Sequence, residues 1–201
     1  MRTQITRPTA TQLEHYLASL QQLPYNYAEV GASASLFPVG YLHSHDRFLL
    51  GQGDVVWEQA KKGVAEWKMF PPTWTMVYPT TPPAIGREQA VCFRQFGLWW
   101  KNACRIVYRE DSAEAFGFAY GTLPTHIGSG EEYFGVERDK AGNCWFVIKA
   151  FSLPYYWGTR LFPFYMRAKQ RSFIREAGIR MQQLVKQQAT EPGQHPNTKT
   201  S

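Results

Sequence analysis

Residues 116–134, FGFAYGTLPTHIGSGEEYF, constrain the fold of this 201-residue chain more than any other stretch. Phe116, Phe118, Tyr120 and Thr122 recur at every second position, which in a β-strand places them on one face. Gly117, Ala119 and Gly121 fall on the other. One face of the strand is therefore bulky and aromatic, and the opposite face is nearly bare. Pro124 has no N–H to give to a ladder and ends the strand. Gly128-Ser129-Gly130 then predicts a flexible loop, and residues 131–137 a returning strand. His126 stands in the connection, with Glu131 and Glu132 at its far end. Polar residues on a connection held by a rigid hairpin are common at functional sites.

The rest of the chain supplies partners for that hairpin. Residues 9–21 predict a short helix, with Leu13, Leu17 and Leu20 at helical spacing and Pro24 as its stop. Residues 41–53, YLHSHDRFLLGQG, predict a strand. Asp54 follows as an N-cap for a helix over 55–68, whose Val56, Ala60, Val64 and Trp67 share one face. Strand-like runs then cover 74–78, 90–100, 103–110, 116–123, 131–137 and 144–151, parted by short turns, one of them at Lys101-Asn102. Connections this short suit antiparallel neighbours, because parallel strands need long crossovers. From Pro163 to Lys186 a long helix carries an apolar stripe that includes Tyr165, Phe173, Ala177 and Met181. The domain is expected over 25–188, with 1–24 a helical extension and 189–201 a polar tail without fixed structure.

This order predicts an α+β chain in which a curved antiparallel sheet of about seven strands wraps around a long C-terminal helix. It resembles the helix-grip fold of the START and birch-pollen-allergen superfamily. Such an arrangement commonly leaves a cavity between sheet and helix. Three stretches resemble one family more closely. They are Gly51-Gln-Gly53 with the helix ending in Trp67-Lys-Met-Phe70; Asn102-Ala-Cys104-Arg105-Ile-Val107-Tyr108; and Gly117-Phe-Ala-Tyr-Gly-Thr-Leu-Pro124 with His126 and Gly130-Glu-Glu132. Together they are similar to the DUF1990 family of uncharacterised domains, over roughly residues 25 to 185. The resemblance implies the helix-grip fold and leaves the chemistry to the residues.

Several residues are candidates for that chemistry, each beside a plainer use. Arg105 lies mid-strand, where a guanidinium must be paired or reach water. It suits the acidic headgroup of a ligand, and equally a carboxylate across the sheet. His126 with Glu131 or Glu132 forms an acid–base pair or a hairpin cap, and Tyr120 joins the catalytic candidates. Tyr108, Phe118, Tyr120, His126 and Trp145 are candidate ligand contacts, with Arg105 as the polar anchor. Arg105 and Tyr108 are three apart, so a regular strand points only one of them inward unless a bulge intervenes. His43-Ser-His45-Asp46 places two imidazoles on one strand face, but no third metal ligand is signalled, and no metal or cofactor is expected. Gly51-Gln-Gly53 lacks the third glycine and the Lys-Ser/Thr of a phosphate loop.

The net charge of +6 is confined to one segment. Residues 160–186 hold seven basic side chains and one acid, Glu176, so the remainder sums to zero. Arg167, Arg171 and Arg175, at four-residue spacing, form one stripe suited either to an anionic membrane surface or to solvent. No nucleic-acid motif accompanies it. Three cysteines without metal-type spacing fit reduced, buried thiols in a cytoplasmic protein. The N-terminus lacks the apolar core of a signal peptide. The expected partner is a small hydrophobic or amphipathic ligand, lipid- or isoprenoid-like. The alternatives are a cyclase- or hydrolase-like enzyme using the same cavity, or a membrane-surface protein using the basic helix.

Overall fold

The computed structural model describes residues 2–155 and 163–189. Among the described residues eight strands form one antiparallel sheet, seven of them in one unbroken path. In chain order they are a short β1 (Arg2–Gln4), β2 (Leu42–Gln52), β3 (Thr75–Tyr78), β4 (Glu88–Gln95), β5 (Leu98–Asp111), β6 (Ala115–Thr122), β7 (Gly128–Arg138) and β8 (Asn143–Pro154). The spatial order is β2-β8-β7-β6-β5-β4-β3. β5 pairs with β4 through its first half and with β6 through its second, and β1 lies alongside Trp99–Lys101 beyond the end of β6. Helices α1 (Ala10–Ala18), α2 (Asp54–Ala65) and α3 (Pro163–Ala189) complete the chain. This is the helix-grip architecture, with α2 and α3 packed on one face of the curved sheet. The stretch expected to form a polar tail lies, apart from the end of α3, outside the described residues.

Alternation along the strands builds two cores. On the inner face Phe118, Tyr120, Phe134, Ile148 and Phe146 pack with Trp57 and Val64 of α2 and with Ile174, Ala177 and Met181 of α3. Each of the large apolar side chains among them contributes roughly 1.5–3 kcal/mol by leaving water. On the outer face Leu13, Tyr16 and Leu17 of α1 cover Ala90, Cys92, Trp99 and Ala103. α1 starts in a capping box: Gln12 N–H donates to Thr9 Oγ1 and Thr9 N–H to Gln12 Oε1. The N-terminal residues are thus a layer of the fold, not an appendage.

Three local expectations need correction. The β4–β5 hairpin turns at Phe96-Gly97, both at positive φ, and Lys101-Asn102 lies within β5. Gly53, not Asp54, occupies the N-cap of α2, while Asp54 in the first turn pairs with Arg138 at 2.8 Å. Gly128-Ser129-Gly130 is not a loop but the start of β7, paired with Ser152–Pro154.

The bare face of β6 is occupied. Tyr25 and Tyr27 lie over Gly121, where a Cβ would overlap Tyr27 Oη, and Tyr133 lies over Gly117. Small residues at these positions admit phenol rings to the sheet surface. We expect Gly121→Val to lower the unfolding free energy by about 1–3 kcal/mol in urea titration, the usual cost of overpacking, and to expose residues 25–35 to proteolysis. A variant with the parental midpoint and cleavage pattern contradicts this packing.

Candidate functional site

A cavity of about 250 Å³ opens between the inner sheet face and the first turns of α3. Its origin is legible strand by strand. The inner face of β7 runs Gly128, Gly130, Glu132, Phe134, and that of β8 runs Ser152, Ala150, Ile148. On β6 the series is Thr122, Tyr120, Phe118. Small side chains stand at one end of the sheet and large ones at the other, so the core fills only the second end. Phe70, Trp74, Phe93 and Phe173 give the cavity aromatic walls, and Tyr165, Met166, Arg167 and Lys169 of α3 border it. Gly130 is fixed as glycine: its φ is +148° and a Cβ would overlap the carbonyl oxygen of Phe151.

Glu132 stands where the small-residue floor meets the packed core. Directly across the ladder, Tyr120 Oη donates to Glu132 Oε2 at 2.6 Å. Burial pushes the Glu132 carboxyl from its ordinary 4.5 up to about 7, although the Tyr120 hydrogen bond works to lower it. Burial, then the charge of Glu132, holds the Tyr120 phenol well above its usual value. The pair can accept a hydrogen bond from a bound molecule, or exchange a proton with it near neutrality.

His126 borders the same cavity from the turn between β6 and β7. Its backbone N–H donates to Leu123 O at 2.8 Å, and its ring Nδ1 accepts from Gly128 N–H at 2.9 Å. With Nδ1 accepting, the neutral ring carries its proton on Nε2. Burial pulls the imidazole down to about 4. The ring caps the turn while facing the cavity.

The other candidates stand elsewhere. Glu131, one residue from Glu132, faces outward and is 2% exposed. It accepts from Tyr27 Oη and Gly31 N–H at 2.8 Å, from Ser33 N–H at 3.0 Å, and from Ser33 Oγ. Arg105 is also outward, paired with Glu88 at 2.8 Å and donating to Leu23 O at 2.9 Å. Tyr108 stacks on Tyr133 and shares a hydrogen bond with Ser33 Oγ at 2.9 Å. A bulge at Val107 turns Tyr108 to the same outer face as Arg105, so neither reaches the cavity. Trp145 lies under the Arg47 guanidinium and donates to Asp139 at 3.3 Å, again on the outer face. Phe118 faces inward but is sealed in the core against Trp67 and Phe134.

The carboxylate that joins Tyr120 and His126 at the cavity is therefore Glu132, not Glu131. Of the basic stripe, Arg167 borders the mouth, and Arg171 and Arg175 are exposed farther along α3. His43 and His45 point outward from edge strand β2, His43 Nε2 lying 2.9 Å from Pro38 O. Among the described residues no cluster of three His, Cys, Asp or Glu side chains is placed to hold a metal. None of their helices is long and apolar enough to cross a membrane.

Comparison with known proteins agrees with the sequence resemblance. The family model described as "Domain of unknown function (DUF1990)" matches residues 26–180. A UPF0548 protein of Arabidopsis thaliana is 33% identical over 144 residues, covering 69% of this chain and 70% of that relative. A UPF0548 protein of Deinococcus radiodurans is 31% identical over 157 residues, covering 72% and 79%. Among solved structures, a norcoclaurine synthase point mutant from Thalictrum superposes with a TM-score of 0.48 at 10% identity, covering 76% of this chain and 100% of that one.

The two titrating groups at the cavity act oppositely on stability. Glu132 has a raised folded-state pKa, so its contribution is full below about 4.5 and is lost as pH rises through about 7. His126 has a depressed one, so its contribution is full above about 6.5 and is lost as pH falls through about 4. Their slopes cancel in part between these limits. Glu132→Gln should therefore leave a stability that declines more steeply from pH 6.5 to 4 than that of the parent. His126→Asn should leave one that declines more steeply from pH 4.5 to 7. Denaturant midpoints across this range check both, and parallel profiles for all three proteins contradict the assignment.

Proposed function

The chain belongs to the DUF1990 family of domains of unknown function, and we propose that it binds a small apolar or amphipathic molecule, lipid- or isoprenoid-like, in the cavity between sheet and α3. The observation that carries this reading is the cavity's lining. Small residues on β6, β7 and β8 clear a space of about 250 Å³, aromatic side chains wall it, and the Tyr120–Glu132 pair supplies a polar point in it. Apolar walls with a few fixed polar groups are the usual make-up of small-molecule sites. Tyr120, Glu132 and His126 are the polar contacts expected for the ligand. Three buried free cysteines support a cytoplasmic setting.

Native mass spectrometry of protein purified from cells tests the reading. A small-molecule adduct is expected on the parent protein. Ser152→Phe, which projects a ring into the floor, should reduce the adduct at least about tenfold while the fold is kept. A parent protein without adduct that also fails to take up apolar probes overturns the proposal.

A second reading, contact with an anionic membrane surface, is favoured by the exposure of Arg167, Arg171 and Arg175 along one helix. Replacing Arg171 and Arg175 with Gln should change stability by no more than about 1 kcal/mol, as exposed charges do. Flotation with anionic vesicles then decides: binding by the parent that the double variant loses supports the membrane reading, and equal recovery of the two defeats it.

A further inference from the structure

We propose that the molecule bound in this cavity is an amine, an apolar body whose protonated nitrogen pairs with the carboxylate of Glu132. The inference rests on the ligand-binding reading and narrows it to a chemical class.

Its basis is a carboxyl group without a matching cation. Glu132 Oε2 accepts from Tyr120 Oη, and Oε1 has no hydrogen-bond partner among the described residues. No Lys, Arg or His among them lies within ion-pair distance of either oxygen. The other glutamates of the sheet that are not exposed are all matched. Glu88 pairs with Arg105 at 2.8 Å, and Glu137 pairs with Lys149 at 2.8 Å and Arg47 at 3.7 Å. Glu131 takes four hydrogen bonds from the 27–33 segment. Carboxylates drawn out of water are satisfied by a cation or several donors; Glu132 is half-buried at the cavity, has one donor, and leaves Oε1 open to the cavity. Burial raises its pKa, and the one hydrogen bond from Tyr120 offsets that only in part.

The surroundings favour an ammonium as the missing partner. Phe70, Trp74 and Phe173 present rings to the cavity, and ring faces attract cations as well as apolar chains. A neutral hydroxyl donates a hydrogen bond to Oε1 but leaves the charge uncompensated. A carboxylic acid bound there sets a second carboxylate against the first. Arg167 and Lys169 are exposed at the mouth, where solvent and salt screen their repulsion of an entering cation.

Titration calorimetry at neutral pH with decylamine, decanol and decanoic acid tests the class, since the three share one apolar body. The amine is expected to bind tightest, by about tenfold over the alcohol, the margin of one charge-assisted contact. Glu132→Gln should bring amine and alcohol to within about twofold of each other, and Tyr120→Phe, which keeps the carboxylate, should retain the amine's advantage. Equal affinities for all three on the parent protein, or tightest binding of the acid, overturn the amine assignment and leave the cavity reading standing. Failure of all three to bind defeats the cavity reading and this inference with it.

Discussion

Adjacent residues of a β-strand cannot face the same way, and the structure turns on that constraint at Glu131 and Glu132. Phe134 and Val136 must face the inner core, which sends Glu132 inward and Glu131 outward. Buried on the outer face, the Glu131 carboxylate gathers donors from Tyr27, Gly31 and Ser33 and so holds residues 27–33 against the sheet. Gly121 makes that approach possible from the neighbouring strand, because any side chain there would meet Tyr27. The glutamate, the glycine and the tyrosine are one device. It covers the back of a sheet whose front is already occupied by helices.

How much of this was legible in the sequence depends on distance from an irregularity. The alternation of β6 assigned Phe116, Phe118 and Tyr120 to one face and the glycines to the other, as observed, since no bulge interrupts residues 115–122. The long C-terminal helix followed from a stripe that recurs over many turns. The wall residues expected on β5 and β8, Tyr108 and Trp145, face outward for physical reasons. One extra residue at Val107 reverses every facing after it, and no composition signal marks a bulge flanked by Ile106 and Tyr108. Trp145 is large enough to suit a cavity wall, but its outward facing follows from Cys144 and Phe146, which pack in the core. The Gly128-Ser129-Gly130 run shows a subtler limit. Glycines signal a loop and also a strand that must leave room above itself, and only the pairing with β8 distinguishes the two. Glu132 itself was within reach, for Tyr120 faces inward and its cross-strand neighbour must do the same.

The contrast between the two carboxylates bears on why the cavity exists. A dry, sealed void of about 250 Å³ would cost about 6 kcal/mol at roughly 24 cal/mol per Å³, comparable with the whole stability of a small domain. That figure is an upper bound, because this space opens past Arg167 and Lys169 to solvent. Still, larger side chains at Ala150, Ser152 and Thr122 would close the space and add apolar burial, and the chain has no shortage of aromatics elsewhere. The outer face shows what the same sheet does when packing alone governs it: every space over Gly117 and Gly121 is filled by a tyrosine, and Glu131 is saturated with donors. The inner face near Glu132 keeps both its space and its unspent hydrogen-bonding capacity. Packing and electrostatics would each be improved by filling that space from within the chain, yet the chain leaves it open, and that unfilled space beside Glu132 is what the proposed ligand rests on.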